Sequence, residues 1–204
     1  MKKGIAILLS LIMVLLMAGC GKTESPSEVA DKFFKAIKEK DSETISEIYE
    51  GNDLDLSKAG GEMMDDDSGL SKEVQEKFIE KIFDFDYEIS DEEIKDDEAT
   101  VKVKITSYAL GDMIASVYTD LVAWAVENMF DAPSEEDTAK KTSEIFTEKL
   151  DETEKTFTKE MNLKLVKKDD KWIVSKDLDS DDLLNAITGD MGKKVESLSD
   201  SFGE

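Results

Sequence analysis

The sequence predicts an α+β fold in which N-terminal helices pack on an antiparallel sheet. Between residues 26 and 83, apolar residues recur at spacings of three and four, as they do on one face of a helix. Two later segments, 85–105 and 157–174, instead alternate apolar and polar residues, which is typical of half-buried strands. A helical pattern over 112–152 separates these segments. We therefore expect two β-hairpins with a helical hairpin inserted between them.

The N-terminal helices begin at recognisable capping residues. The segment Ser25-Pro26-Ser27-Glu28 has the pattern of a capping box, with proline at the first helical position. The helix that it opens is expected to end near Lys40. Asp41 and Ser71 are expected to cap two further helices. The glycine- and aspartate-rich segment 53–69 between those helices predicts a loop.

The sheet and the helices are expected to share one apolar core. Its predicted members come from the first helix and from the inward positions of the strands: Phe33, Phe34, Ile37, Val101, Val103, Leu163, Leu165 and Trp172. After the last strand, Asp181 or Asp182 is expected to cap a helix that Gly189 ends. Together these elements predict a single domain over 26–190, followed by a tail, 191–204, with a weak helical pattern.

The helical hairpin carries more apolar surface than one packing face needs. On its first helix, 112–130, one apolar stripe suffices for packing, and a second stripe formed by Val122, Val126 and Phe130 runs beside it. The second helix, capped by Ser134, offers only a narrow apolar stripe in return. We therefore predict that Val122, Val126 and Phe130 form a surface for a protein partner. In the alternative, the sheet and the second helix bury both stripes.

Residues 1–19 have the pattern of a cleaved export signal. Lys2 and Lys3 precede an apolar run over 5–17, which is shorter than the ~20 residues needed to cross a bilayer. Small residues then occupy positions 18 and 19, as they do before signal-peptidase cleavage sites.

The junction Ala18-Gly19-Cys20 resembles the lipobox of bacterial lipoproteins. The resemblance implies cleavage between Gly19 and Cys20, a lipid on Cys20, and a short tether over 20–25. Two acyl chains anchor a protein stably, whereas one holds it only marginally. We therefore expect a protein on the extracytoplasmic face of the cell membrane. The alternative is an ordinary secretory signal followed by a chance cysteine.

The composition excludes several classes of function. The 204 residues include no histidine and one cysteine, which removes imidazole catalysis, thiolate metal cages and histidine-bound metals. There is no arginine, so bidentate recognition of phosphate is absent. The net charge of −23 becomes −25 when Lys2 and Lys3 leave with the signal, which argues against a nucleic-acid partner. We expect no cofactor and no metal centre.

Acidic segments raise the question of calcium. The spacing of Asp177, Asp179 and Asp181 matches the first ligands of an EF-hand loop, but Asp182 and Thr188 replace the glycine and glutamate that such a loop needs. The alternative is a helix N-terminus that carries acids favoured by the helix dipole. The run 65–67 consists of three aspartates and is interpreted as a solvated acidic segment.

A histidine-independent isomerase is a further alternative, since that chemistry needs only an acid and a tyrosine in an apolar pocket. The chain has four tyrosines that qualify by type, and no spacing singles out a pair: Tyr49, Tyr87, Tyr108 and Tyr118. Phe33, Phe34 and Trp172 are candidates for lining a ligand pocket, although aromatic residues in such positions usually form core.

Three segments carry a resemblance to a known superfamily. Pro26 to Asp41 reads Pro-x-Glu-Val-x-x-x-Phe-Phe-x-Ala-Ile-x-x-x-Asp, and Leu165 to Val174 reads Leu-x-Lys-x-Asp-x-Lys-Trp-x-Val. With the strand Ala99 to Tyr108, this order resembles Gram-positive lipoproteins of the nuclear-transport-factor-like, or cystatin-like, superfamily. The resemblance implies a sheet curled around a long helix into a cone. Because that superfamily hosts both enzymes and adaptors, the fold does not imply one activity.

The function expected from the sequence is therefore a non-catalytic binding module of the cell envelope. It is anchored to the membrane through Cys20, and we expect it to bind an envelope protein. The alternatives are a small-solute-binding protein or an isomerase-like enzyme of the cone type. The interior of the cone discriminates between them, because an enzyme needs converging polar groups there.

Overall fold

The computed structural model describes residues 23–52, 54–57, 59–60, 69–131 and 133–201. Within these residues the chain forms seven α-helices and four strands, which confirms the mixed α+β class. Their order is α1 Pro26–Glu39, α2 Ser42–Ile48, α3 Lys72–Phe83, β1 Asp86–Lys95, β2 Glu98–Ser107, α4 Leu110–Glu127, α5 Glu135–Glu152, β3 Phe157–Lys168, β4 Lys171–Val174, α6 Ser180–Ile187 and α7 Met191–Asp200.

The strands form one open antiparallel sheet in the order β1-β2-β3-β4. Although α4 and α5 lie between β2 and β3 in the chain, these two strands pair along their whole length, from Glu98 opposite Val166 to Ser107 opposite Phe157. Alternate residues of β2 are buried and the residues between them are partly exposed. The sheet therefore has one apolar face and one polar face, as the alternation in the sequence predicts.

Helix α1 packs on the apolar face of the sheet, where it contacts β1, β2 and β4. Its N-terminus carries the predicted capping box: the Glu28 amide donates to Ser25 Oγ at 3.2 Å, and the Ser25 amide donates to the Glu28 carboxylate at 2.8 Å. All eight residues predicted to share a core are buried in one apolar cluster: Phe33, Phe34, Ile37, Val101, Val103, Leu163, Leu165 and Trp172. The predicted core is confirmed.

The predicted cap of the helix after β4 is wrong by two or three residues. Asp179 is the N-cap of α6, and its carboxylate accepts the Asp182 amide at 2.8 Å. Asp181 and Asp182 lie instead in the first helical turn, where the helix dipole favours acids. Several aspartates precede the apolar residues of this helix, and the apolar pattern alone does not decide which of them leaves the helical conformation.

The first strand is longer than the alternating pattern predicts. It continues past Ile89 to Lys95 through a register shift between Ser90 and Glu93, where Asp91 has a φ of +48°. Such a shift is a β-bulge. It inserts one extra residue in the strand, so that the residues beyond it point to the opposite faces of the sheet from those that the alternation predicts. The alternation is therefore lost in the second half of the strand although the pairing with β2 continues.

Helices α4 and α5 join the sheet at one end, because Ser107 and Phe157 face each other there. Near this junction α4 buries Leu110, Met113, Ile114 and Val117, and α5 buries three apolar residues of its last two turns: Ile145, Phe146 and Leu150. The Phe146 ring meets the ring of Phe78 in α3, with centroids 5.6 Å apart. The base of this helical pair is therefore part of the apolar core.

A close approach between two glycines fixes the start of α4 against the loop between α6 and α7. The Gly111 amide donates to the Gly189 carbonyl at 3.0 Å. Gly189 has a φ of +62°, and a Cβ at this position would lie 2.0 Å from the Tyr108 carbonyl oxygen. Only glycine combines this backbone conformation with this contact. Beyond this loop, α7 packs against α4, and Lys194 pairs with Asp112 at 3.1 Å.

Candidate interaction site

An exposed apolar surface lies at the end of the helical pair distant from its base. The exposed fractions of its side chains are 42% for Val122, 61% for Val126, 63% for Met129 and 89% for Phe130. We call these four residues the tip patch. Val122, Val126 and Phe130 are the residues that the sequence proposed as a partner surface; all three are exposed, on the last turns of α4 and the turn after it.

Met129 is a member of the tip patch that the sequence argument missed. It follows Val126 by three residues, which is the spacing of neighbours on one helix face. Helix α4 ends at Glu127, and Met129 lies in the turn that follows. The helical spacing was therefore a usable signal, although the helix itself stops before reaching this residue.

The tip patch is exposed because α5 has little to cover it with. Among the described residues of 118–144, which we call the arm, none is buried. The facing residues of α5 in this region are mainly glutamate, lysine and threonine, and its buried side chains begin only at Ile145. Leu121 and Trp124 of α4 are half-buried. The apolar stripe that α5 contributes therefore covers the base of the pair and leaves the arm outside the core.

Polar contacts hold the arm in its helical form. Asp120 of α4 pairs with Lys149 of α5 at 2.9 Å, and this hydrogen bond raises the pKa of the lysine. At the start of α5, the Asp137 amide donates to Ser134 Oγ at 3.1 Å, and the Asp137 carboxylate receives the Ser134 hydroxyl at 2.6 Å. The bond from the Ser134 hydroxyl, together with one from the Ser134 amide at 3.3 Å, lowers the pKa of Asp137, so the carboxylate is charged at neutral pH.

The charge around the tip patch is mainly negative. The sequence from residue 105 to residue 139 contains no lysine, and five acids lie on the two sides of the turn that follows α4: Glu127, Asp131, Glu135, Glu136 and Asp137. The nearest cations in the sequence are Lys140 and Lys141, which lie further along α5. All five acids are exposed, and Asp137 also hydrogen-bonds to Ser134 at the start of α5. The tip is thus an apolar surface with an acidic border.

A groove of about 900 Å³ lies at the opposite end of the sheet, beside the first described residues of the chain. Its wall is formed by the N-terminal segment, α1, α2 and the β3–β4 turn: Thr23, Glu24, Lys32, Glu47, Ile48, Asp169, Asp170, Lys171, Trp172 and Ile173. Of the three aromatic residues proposed to line a pocket, only Trp172 reaches this groove, whereas Phe33 and Phe34 are fully buried. The two phenylalanines therefore belong to the core.

Of the three aspartates proposed as calcium ligands, Asp179 uses its carboxylate to cap α6. Asp177 and Asp181 are exposed. In the described part of the chain, no three carboxylates, thiols or imidazoles converge as metal ligands would. The aspartate run 65–67 lies outside the described residues.

Tyr87 and Tyr108, two of the tyrosines proposed for acid–tyrosine chemistry, hydrogen-bond to acids. The Tyr87 hydroxyl donates to the Asp31 carboxylate at 2.8 Å, and burial together with this bond raises the pKa of Tyr87 to about 12. The Tyr108 hydroxyl donates to Asp84 at 3.3 Å. Both pairs lie at the surface and neither lines the groove beside Trp172. The Tyr49 ring packs against that of Phe33, and Tyr118 is half-buried at the start of the arm.

The predicted cleavage and lipidation residues, Gly19 and Cys20, lie outside the described residues, as does the whole leader. Among the residues that the structure does describe, no helix has the length and apolar content needed to cross a bilayer.

Comparison with known proteins returns one distant structural likeness. No family model matches the sequence, and no curated protein matches it. A crystal structure from Bacillus subtilis, described as a candidate lipoprotein (YcdA), is similar with a TM-score of 0.48 and 17% sequence identity. The similarity covers 78% of this chain and 55% of the Bacillus protein, so this chain spans about half of that protein's length.

Proposed function

We propose that the mature protein is a lipid-anchored, non-catalytic interaction module on the extracytoplasmic face of the membrane, and that its tip patch binds an envelope protein. The observation that carries the proposal is the exposure of Phe130, at 89%, beside three other exposed apolar side chains. Scattered apolar residues on a surface are ordinary, but a contiguous apolar patch is a mark of protein interaction sites.

The apolar face of the sheet supports a binding role over an enzymatic one. Beneath α1 it is lined by fully buried aliphatic side chains, among them Val101, Val103 and Leu163. Two polar groups on this face are already engaged, because Ser107 Oγ donates to the Ala186 carbonyl at 2.8 Å and Lys159 pairs with Asp182. An active site in this position needs polar groups that converge on open space.

The cone of the nuclear-transport-factor-like superfamily is part of the same proposal. A long α1 on one face of a four-stranded antiparallel sheet is compatible with it, and α4 and α5 are then an insert between the second and third strands. The apolar side chains described above are its filled interior.

The anchor is tested by Cys20→Ala. We expect this variant to lose all incorporation of labelled palmitate and to accumulate as the uncleaved precursor, because the thiol is the attachment point for the lipid. Cells carrying the unchanged chain serve as the reference for labelling and for the size of the mature protein. Palmitate incorporation into the Cys20→Ala protein contradicts the anchor assignment.

The partner surface is tested by Phe130→Glu in the anchored protein. The side chain is exposed, so we expect the free energy of unfolding to change by less than about 0.5 kcal/mol. A photo-crosslinker placed at position 122 should give a discrete adduct in intact cells, and Phe130→Glu should abolish it. The matched control is Val195→Glu, which adds the same charge at an apolar residue of α7 that is 41% exposed. Loss of folding in Phe130→Glu means that the tip patch is core and has no claim to function.

A further inference from the structure

The structure indicates the chemistry of the partner as well as the location of its binding surface. We infer that the tip patch docks into an apolar protein pocket whose rim carries lysine or arginine side chains. This inference rests on the proposed function and adds to it the charge of the partner.

Phe130 has the properties of an anchor residue. It lies in the turn after α4 and is the most exposed large apolar side chain among the described residues, with Val126 and Met129 beside it. Binding energy at protein interfaces is concentrated in a few side chains that fill pockets and are surrounded by groups that exclude water. An exposed phenylalanine on a helical arm is therefore suited to enter a concave apolar pocket.

The border of the patch determines the charge of the rim. Glu127 and Asp131 flank Phe130 in sequence, and three further acids open α5 at Glu135, Glu136 and Asp137. An acidic rim on the partner opposes these carboxylates, because like charges that face each other across an interface disfavour binding. A basic rim complements them, and the net charge of the mature chain, −25, adds long-range attraction.

Two other occupants fit these observations less well. The first is the bilayer. Helices α4 and α5 leave the sheet where Ser107 faces Phe157, whereas Thr23 and Glu24, which follow the lipid-bearing residue, line the groove at the β3–β4 turn, roughly 30 Å away along β2. An anionic bilayer also repels an acidic border. A second copy of this chain brings one acidic arm against another, which has the same electrostatic cost.

Synthetic amphipathic helices supply the probe. Three peptides share one leucine face and carry lysine, glutamine or glutamate on the other face, and their binding to the mature protein is measured by fluorescence anisotropy. We expect the lysine peptide to bind at least about tenfold more tightly than the glutamine peptide, and its affinity to fall as salt is added. Phe130→Glu should lower the affinity for the lysine peptide at least about tenfold, whereas Val195→Glu should leave this affinity unchanged. Glu127→Lys with Asp131→Lys should reduce the salt dependence.

The outcomes separate this inference from the proposed function. If the lysine and glutamine peptides bind equally well and Phe130→Glu still abolishes binding, the partner's rim is not basic. The tip patch then remains an interaction surface. Binding of the lysine peptide that Phe130→Glu does not change overturns the role of the tip patch in both proposals. Quenching of Phe130→Trp fluorescence by brominated lipids in phosphatidylcholine–phosphatidylglycerol vesicles identifies a bilayer as the occupant. Self-association lost in Phe130→Glu identifies a second copy. Either result overturns the inference.

Discussion

Replacing Phe34 by alanine is expected to lower the free energy of unfolding by about 3–5 kcal/mol, the cost of deleting a large aromatic side chain from a core. Phe34 is fully buried in α1 and packs between the sheet and its own helix. Its ring packs against three other aromatic rings, and the distances between ring centroids are 5.7 Å to Phe33, 5.3 Å to Tyr87 and 6.5 Å to Phe85. Alanine leaves a cavity that these three rings line, and the sheet and helix relax only partly into it.

Chemical denaturation of the mature protein measures this loss. The matched control is Phe130→Ala, which makes the same chemical change at a side chain that is 89% exposed. We expect it to change the free energy of unfolding by less than about 0.5 kcal/mol. Similar small losses in both variants contradict the placement of α1 on the apolar face of the sheet.

Gly189→Ala is expected to destabilise the protein by about 3 kcal/mol, because it combines backbone strain with a steric clash. A Cβ at Gly189 lies 2.0 Å from the Tyr108 carbonyl oxygen and 2.8 Å from the Leu110 amide nitrogen. Both atoms belong to backbone at the start of α4, so no side chain can rotate away to relieve the contact. The substitution must therefore displace the base of the arm or the loop between α6 and α7.

Gly69→Ala separates the two causes. Gly69 also has a positive φ, +73°, but a Cβ there meets no atom within 4 Å. We expect this variant to be destabilised only by the left-handed backbone conformation, which costs about 1–2 kcal/mol. Thermal unfolding of both variants measures the difference. A loss in Gly189→Ala no larger than that in Gly69→Ala contradicts the close approach of the two segments.

Local chemistry allowed many element boundaries to be predicted. The capping box at Ser25 and the cap at Ser71 lie where expected, because a capping side chain bonds to backbone amides two or three residues away. The strands were predictable where one face is buried, as in β2, and less so in the second half of β1, where the bulge after Ser90 interrupts the alternation. The cap of α6 was wrong because Asp179 competes with neighbouring aspartates of the same type.

The residues of the candidate site could be predicted from the sequence, but their exposure could not. The second stripe of α4 is visible in the sequence, and so is the lack of apolar residues on the facing helix. Whether another element covers Val126 or Phe130 depends on contacts between segments far apart in the chain. The sequence left both possibilities open, and the structure leaves the stripe exposed.

The types of the elements, the apolar core and the absence of histidine and arginine chemistry could be predicted from the sequence alone. These properties follow from residue identity and short-range periodicity. Only the tertiary structure decided that α4 and α5 are joined to the core at their base alone, and that this base lies at the sheet end opposite Trp172 and the start of the described chain. Strand pairing sets those positions, because the register of β2 with β3 places Ser107 beside Phe157 and Glu98 beside Val166.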